Sequence, residues 1–330
     1  MIEITHYRQH NLDFYLCKTP HYRLTLCGLG AMIYRLETQD KNGQFKNIVY
    51  TYQQFEQYHN NIKYAGITVG PYAGRIYPLE VIIENTKHPL KANDNGVYLH
   101  SGSHHIGTQI FKAKKHDNAI EFIIEKPRYA LPSPEVITVT YQLKNNGFSI
   151  DYHSNTKVAT FISLTNHSYF NLSGDFKQKI GTHKLMVEAD TMVALNAKNI
   201  PEKIENVHNT PYDFTQLKPL SKLFDAGLAL DHPFLLNPQG KVKLIDEQST
   251  RTMTITTNYP AVVVYTNNEP SNTTHEDGSI DQRHHSICIE CQYIPNDMYF
   301  LKHPQSFYPP MSQRTMTINY AFEGGFFDDL

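Results

Sequence analysis

One carboxylate lies in a segment where general base chemistry could be carried out. Glu290 lies within Ser286–Tyr293, a segment typical of a β-strand. Because successive strand residues point to opposite faces, Glu290 shares a face with Cys288 and Gln292, while Cys291 lies on the other face. Glu290 is therefore either a solvent-facing strand residue or a carboxylate that projects into a cleft on the concave face of a sheet. The same periodicity separates the two cysteines of the C-x-x-C pattern, so we exclude a zinc knuckle or a redox motif there.

Two histidines are candidate proton donors or substrate ligands. His167 lies in the polar half of Leu164–Gly174, where a strand runs into a turn. His100 lies at the predicted end of a strand in Val97–Gly102, just before small residues. Imidazole titrates near neutral pH and can therefore serve as a general acid or base. The alternative interpretation of each is a histidine packed in the core or exposed on the surface.

The abundance of histidine, 18 residues, raises the question of a metal site. His100 and His104 have the spacing of a helical metal-binding pair, but Ser101–Ser103 disfavours a helix. The doublets His104–His105 and His284–His285 are typical of exposed loops. We therefore predict that the protein has no metal site.

A cation and a second carboxylate occur in segments that read as loops or turns. Arg75 lies in the glycine-rich Gly70–Ile76 segment, which lacks the Lys-Ser/Thr that completes a phosphate-binding P-loop. Asp231 precedes His232 and Pro233, a context that suits the opening of an Asx turn. Arg75 is correspondingly interpreted as a surface charge in an ordinary turn.

The elements that must position these residues are β-strands. Polar and apolar residues alternate with period two in short segments that are separated by polar breaks, as in half-buried strands. These segments are Ala119–Ile124, Val136–Leu143, Phe148–His153, Lys184–Ala189, Met253–Thr256, Ala261–Thr266 and Thr315–Tyr320. A hairpin turn is predicted at Asn145–Gly147, and modest helical patterns occur only at Thr51–His59 and Gln216–Asp225. Many short strands without a linker or a repeat predict one all-β domain over residues 1–330, a sandwich or a barrel.

Composition restricts the partners and the location of the protein. Hydrophobic residues make up 40% and charged residues 19%, which excludes a disordered chain. Lys and Arg total 30 against 32 Asp and Glu, with no long run of either sign, so neither nucleic acid nor membrane is predicted as a partner. The sequence shows no bilayer-spanning stretch and no secretory signal, and four cysteines are too few for a disulfide scaffold. We therefore expect a cytoplasmic protein.

Five segments, taken in chain order, resemble the signature segments of the aldose 1-epimerase (galactose mutarotase) family. They are GPYAGRI, LHSG, LTNHSYFNLSG, LDHPF and IECQYIPND. The resemblance extends from about Gly70 to the final strand. It implies an all-β fold, namely a large antiparallel β-sandwich with a concave sugar-binding cleft. It also implies an enzyme that interconverts the α and β anomers of a free hexose such as galactose or glucose.

By matching motif, the resemblance implies that Glu290 is the general base and His167 the general acid. His100, Arg75 and Asp231 would hold the substrate. The chemistry agrees, since mutarotation requires the anomeric hydroxyl to lose a proton while the ring oxygen gains one. No metal, nicotinamide or nucleotide cofactor is needed. The expected partner is a small-molecule aldose, and a homodimer is left open. Because the sequence contains no Trp, the apolar face of the sugar must pack on Tyr or Phe.

Two residues depart from the family pattern, and three alternative functions stay open. Ser101 stands where the family usually has a second glycine, and Phe111 lies where it has an aromatic residue that is often Trp. We expect both to affect the rim of the cleft. The alternatives are a glycoside hydrolase with Asp231 and Glu290 as its carboxylate pair, a non-catalytic carbohydrate-binding module, and an enzyme for another sugar or a hexose 6-phosphate. The last would need additional cations at the cleft.

Overall fold

The computed structural model describes residues 2–323, and of His104 only the backbone. Strands account for 47% and helices for 7%, which confirms the all-β prediction. The strands are β1 (Glu3–Gln9), β2 (Leu12–Lys18), β3 (Tyr22–Cys27), β4 (Met32–Gln39), β5 (Phe45–Asn47), β6 (Thr68–Val69), β7 (Arg75–Ile76), β8 (Glu80–Ile83), β9 (Thr86–Pro89), β10 (Tyr98–Leu99), β11 (Lys112–Lys115), β12 (Ala119–Glu125), β13 (Val136–Lys144), β14 (Gly147–Thr156), β15 (Thr160–Phe161), β16 (Thr165–Asn166), β17 (Tyr169–Phe170), β18 (Lys184–Val187), β19 (Thr191–Leu195), β20 (Pro201–Asn206), β21 (Lys218–Pro219), β22 (Asp231–Leu235), β23 (Lys241–Asp246), β24 (Arg251–Thr257), β25 (Ala261–Tyr265), β26 (Ile287–Gln292), β27 (Phe307–Tyr308) and β28 (Ser312–Glu323).

Helical structure is confined to short turns. The α-helices are α1 (Ser221–Asp225) and α2 (Asp297–Phe300), and 3-10 turns occur at Phe55–His59, Gly102–His104, Ile106–Thr108 and Ile180–Thr182. Both helix predictions were therefore too long, since each forms only over its last five residues. Within residues 2–323 no helix has the length and the apolar character that crossing a bilayer requires.

Two large antiparallel sheets carry the architecture. The first has nine strands in the order β11-β12-β13-β14-β28-β24-β23-β18-β21, and the second has six in the order β17-β26-β25-β22-β19-β20. A five-stranded meander, β1-β2-β3-β4-β5, precedes both. The predicted hairpin at Asn145–Gly147 is confirmed, because β13 and β14 pair up to Lys144 and Gly147. Period-two alternation is what lets each strand bury one face and expose the other.

The main hydrophobic core lies between the nine-stranded sheet and the six-stranded sheet. The nine-stranded sheet contributes residues such as Val139, Ile150 and Ile318, and the six-stranded sheet contributes Val264 and Ile289. This arrangement is the predicted β-sandwich, in which apolar side chains from two inner faces interdigitate. The opposite face of the six-stranded sheet is then free to form a binding surface.

Candidate active site

Strand β26 positions Glu290 as the alternation predicted. Ile287, Ile289 and Cys291 belong to the core between the sheets, whereas Glu290 and Gln292 line a cleft on the other face. The side chain of Glu290 is only 5% exposed, so the alternative of a solvent-facing strand residue is wrong. Loop residues such as Tyr64, Asn199 and Ser271 line the same cleft and enclose this face.

The register of the six-stranded sheet brings Asp231 near Glu290. Tyr169 on β17 pairs with Cys288 on β26, Cys288 pairs with Tyr265 on β25, and Tyr265 pairs with Asp231 on β22. Paired residues of antiparallel strands project to the same face. Glu290, two residues along β26 from Cys288, therefore shares that face with Asp231. Asp231 begins a strand, so the Asx-turn alternative for this residue is wrong.

His167 is held between two short strands, β16 and β17. Its N–H donates to the carbonyl of Ile67, and its carbonyl accepts from the N–H of Gly66. The side-chain amide of Asn166 donates to the carbonyl of Gly66, and Asn166 Oδ1 accepts from the N–H of Ser168. These bonds fix the backbone on both sides of His167. Its imidazole is consequently directed towards β26.

Arg75 and His100 come from one two-stranded ribbon. Leu99 on β10 pairs with Arg75 on β7, and the N–H of His100 donates to the carbonyl of Gly74. The N–H of Gly74 in turn donates to Nδ1 of His100, at 3.1 Å. Since Nδ1 accepts this bond, the proton of the neutral imidazole lies on Nε2. His100 therefore offers the cleft a hydrogen-bond donor.

All five predicted site residues line one cleft of about 460 Å³: Arg75, His100, His167, Asp231 and Glu290. Its aromatic lining consists of tyrosines and histidines in the described part of the chain, with Tyr64, Tyr169 and Tyr265 as the tyrosines. Tyr64 packs edge-on against His100, with ring centroids 4.8 Å apart. The sequence left the identity of the aromatic wall open, and these three rings are its candidates.

The catalytic candidates form a close pair. Nε2 of His167 lies 3.5 Å from Oε1 of Glu290. Burial raises the pKa of Glu290 to about 8, the nearby Asp231 adds to the rise, and Arg75 opposes it. Burial also lowers the pKa of His167 to about 3. Low dielectric disfavours both charged forms, so at neutral pH the proton of this pair resides on Glu290. The mechanism expected from the sequence requires an ionised Glu290 and a protonated His167. That form has the same total number of protons, with the proton on His167 instead of Glu290.

Arg75 is clamped by two carboxylates. Its Nε donates to Oδ2 of Asp94 and its Nη1 to Oδ2 of Asp231, both at 3.2 Å. Burial opposes the charge of Arg75, but Asp231 and Asp94 together outweigh burial and raise its pKa. Burial raises the pKa of Asp231, and Arg75 counteracts that rise. The alternative of Arg75 as a surface charge is therefore wrong. Sequence reasoning missed Asp94, whose only signal is the turn sequence Asp94–Val97.

The other cation that lines the cleft is also neutralised. Lys63 Nζ lies 2.7 Å from Oδ2 of Asp281 and 2.9 Å from Oδ1 of Asn267, and both charged side chains are almost fully buried. The ammonium group lies 4.3 Å from the centre of the Tyr169 ring. Asp281 Oδ2 also accepts from the N–H and the hydroxyl of Ser271, which lies at the cleft. This pair therefore ties the cleft wall to its rim.

Gln292 offers the cleft a free acceptor. Its Nε2 donates to the carbonyl of Tyr293, whereas its buried Oε1 has no hydrogen-bond partner among the described residues. A buried acceptor without a partner is costly, and a ligand hydroxyl would remove that cost. The shared face of Glu290 and Gln292 was predicted from the strand pattern, and the structure confirms it.

His100, His167 and Glu290 are close enough to raise the metal question again. One ligand atom from each lies within 4.8 Å of the others. The tautomer of His100 opposes a metal, because coordination through Nε2 would move its proton to Nδ1, directly against the N–H of Gly74. Burial, with His167 and Arg75 nearby, holds the pKa of His100 well below its usual value, so its imidazole is neutral. The side chain of His104, the other half of the earlier metal pair, lies outside the described residues.

Three further expectations about the cleft and its surroundings were wrong. Ser101 is buried and bonds to the backbone of Tyr72, and Phe111 is packed in the main core, so neither lies at the rim. His105 and His285 are also buried rather than in exposed loops. The exposure of Ser101, His105 and His285 was predicted from their polar character, but burial depends on tertiary contacts that the local sequence does not show.

The fold and the cleft define a class of protein: a two-sheet antiparallel sandwich with a buried carboxylate and a buried imidazole side by side in a cleft of one sheet. Solved structures share that fold. A GalM/aldose epimerase homologue from C. elegans matches with a TM-score of 0.86 and 23% identity, covering 99% of this chain and 100% of that one. A galactose 1-epimerase from Lactobacillus acidophilus matches with a TM-score of 0.81 and 22% identity, covering 99% of both chains.

Sequence comparison gives the family. The galactose mutarotase of Homo sapiens is 27% identical over 284 residues, 83% of each chain, and the aldose 1-epimerase of Streptococcus thermophilus is 26% identical over 286 residues, 81% of each chain. The family model for aldose 1-epimerase matches residues 13–310. The chain therefore belongs to the aldose 1-epimerase family, as the five signature segments predicted.

Proposed function

We propose that the protein interconverts the α and β anomers of a free hexose of the galactose or glucose type. The observation that carries this proposal is the position of His167 and Glu290, 3.5 Å apart and buried in a cleft lined with tyrosines. An acid and a base at such a distance can act on two oxygens of the same sugar ring. The names of the relatives point to the same reaction.

The proposed mechanism uses one proton of the His167–Glu290 pair. The reactive form has Glu290 ionised and His167 protonated. Glu290 takes the proton of the anomeric hydroxyl while His167 gives its proton to the ring oxygen, and the C1–O5 bond breaks. The open aldehyde rotates about C1–C2, and ring closure with the reverse proton transfers yields the other anomer. Each proton transfer contributes roughly 10²- to 10⁴-fold to the rate.

The remaining cleft residues are proposed to hold the sugar. His100 donates through Nε2, Gln292 accepts through Oε1, and Arg75 and Asp231 bind hydroxyls from their fixed positions. A hexose 6-phosphate is disfavoured, because both cations that line the cleft are already paired with carboxylates. The free sugar is thus favoured over the phosphorylated one.

The test is polarimetry of freshly dissolved α-D-galactose and α-D-glucose with purified protein. We expect equilibration of optical rotation much faster than the spontaneous rate, with no change in the number of reducing ends. New reducing ends from an oligosaccharide would instead support a glycoside hydrolase. Sugar binding without acceleration would support the carbohydrate-binding module and refute the proposed activity.

A further inference from the structure

Asp94 and Asp231 divide the hydrogen-bonding capacity of Arg75 between them. The guanidinium presents Nε to one carboxylate and Nη1 to the other, each at 3.2 Å, and all three side chains are between 20% and 25% exposed. A guanidinium is the preferred protein group for binding a carboxylate or a phosphate. Here that role is already filled from within the chain.

The position of Asp94 is built into a tight turn. The backbones of Asp94 and Val97 exchange hydrogen bonds, and the intervening Asn95 and Gly96 both have positive φ angles. Asn93 closes the base of the turn, since its side chain bonds to the N–H and the carbonyl of Leu99. Asn-Gly is the sequence that such a turn requires. Asp94 is therefore held rigidly beside Arg75.

The cleft is lined by more carboxylates than cations, so the pairing of Arg75 with Asp94 and Asp231 matters for ligand charge. Its cations are Lys63 and Arg75, and its carboxylates are Asp94, Asp231, Glu269 and Glu290. Lys63 is paired with Asp281, and Arg75 is paired with Asp94 and Asp231. Asp94 and Asp231 already share Arg75 as their counterion. The negative charge of an anionic sugar bound beside Arg75 would therefore be repelled by both carboxylates.

We propose that Asp94 is a specificity-determining residue: its ion pair with Arg75 makes the cleft selective for uncharged sugars. This inference rests on the proposed function, because it names the class of sugar that the same cleft accepts. Without the negative charge of Asp94, Arg75 would keep only one anionic partner, Asp231. The cleft would then bind sugars that carry a carboxylate, such as D-galacturonate, more tightly.

The experiment measures inhibition of D-galactose mutarotation by D-galacturonate, with methyl β-D-galactoside as the neutral reference inhibitor. The variants are Asp94→Asn, which keeps the shape, and Glu269→Gln, which removes a cleft carboxylate that makes no recorded contact with Arg75. We expect the inhibition constant of galacturonate, relative to the neutral inhibitor, to fall about 10-fold or more in Asp94→Asn. It should fall less than about 3-fold in Glu269→Gln. The gain should shrink at high salt, since it is electrostatic.

Two results would overturn the inference. One is an unchanged relative inhibition constant in Asp94→Asn, and the other is an equal gain in both variants, which would assign the effect to overall cleft charge. If Asp94→Asn does not fold, Asp94→Ser provides the same comparison. A wild-type protein that fails to accelerate mutarotation refutes the proposed function alone. Calorimetric binding of galacturonate to the wild type and to Asp94→Asn then still decides the role of Asp94.

Discussion

Nε2 of His167 lies 3.5 Å from Oε1 of Glu290, and the two side chains are 6% and 5% exposed. At this distance and burial the two groups titrate as a pair rather than independently. Burial favours the uncharged arrangement, a protonated Glu290 beside a neutral His167. The reactive arrangement differs only in the position of one proton. In the proposed mechanism the pair therefore reaches its reactive form without any net uptake or loss of a proton.

The pH dependence of kcat/KM should reflect this shared proton. Above about pH 8 the pair loses its only proton, because that is the pKa to which burial raises Glu290. Below about pH 3 His167 also becomes protonated and the base is lost. We expect a broad bell with its alkaline limb near pH 8, measured by polarimetry across pH. An alkaline limb near the ordinary histidine pKa of about 6.5 would contradict the pairing.

His167→Asn and His100→Asn should have different effects. Asn at position 167 can donate a hydrogen bond but cannot transfer a proton, so kcat should fall by about 10²-fold or more and the alkaline limb should disappear. Asn at position 100 can still accept a hydrogen bond from the N–H of Gly74, but its side chain is too short to replace the Nε2–H donor. His100→Asn should therefore mainly raise KM and leave the bell-shaped pH profile unchanged. The opposite outcome, with the limb lost in His100→Asn, would mean that the roles of the two histidines are exchanged.

Glu290→Gln should lower kcat by about 10²-fold or more while the protein stays folded, since the amide has the same shape. Relative to the wild type, the same variant should become increasingly stable as the pH rises from about 4.5 to about 8. The folded protein keeps on Glu290 a proton that the unfolded chain releases above its ordinary pKa of 4.5, so Glu290 destabilises the fold increasingly up to about pH 8. Urea unfolding at pH 5 and pH 8 measures this difference. A folded variant with near-normal turnover would show that Glu290 is not the base.

Exhaustive dialysis against a chelator should leave mutarotation unchanged. The reason is the tautomer of His100, whose Nδ1 accepts from Gly74 and therefore cannot take up the proton that metal binding at Nε2 would displace. The measurement is the rate before and after dialysis. If activity were lost and then restored by zinc or manganese, the prediction would be wrong, and His100, His167 and Glu290 would be the candidate metal ligands.

His105 should make the fold sensitive to acid. Burial, with Arg128 nearby, lowers its pKa from 6.5 to about 4, so the unfolded chain takes up a proton below pH 6.5 that the folded protein does not bind. Stability from this residue is complete above pH 6.5 and is lost as the pH falls towards 4, by about 2 kcal/mol at pH 5. His105→Asn should reduce the loss in unfolding free energy between pH 7.5 and pH 5. The exposed His303 provides the control, since His303→Asn should leave that loss as it is.

The sequence by itself determined the strands and the side of the sheet on which Glu290 lies. Alternation at Val136–Leu143 and Ser286–Tyr293 is a local property, because the strand period of two fixes which residues share a face. Both segments form strands with the predicted faces, and the signature segments identified the family. Helical segments were overestimated, because Lys218 and Pro219 pair with β18 in the nine-stranded sheet and Tyr52 forms a β-bridge with His275.

Only the tertiary structure decided what the cleft residues do to one another. Arg75, Asp94 and Asp231 are far apart in the chain, and their contact depends on how the ribbon of β7 and β10 lies against β22. The strand register that begins at Asp231 also replaced the turn that its local sequence suits. Likewise, no local pattern predicts that Glu290 keeps its proton at neutral pH. That property follows from burial and from the nearby Asp231, both of which are set by the packing of the whole sandwich.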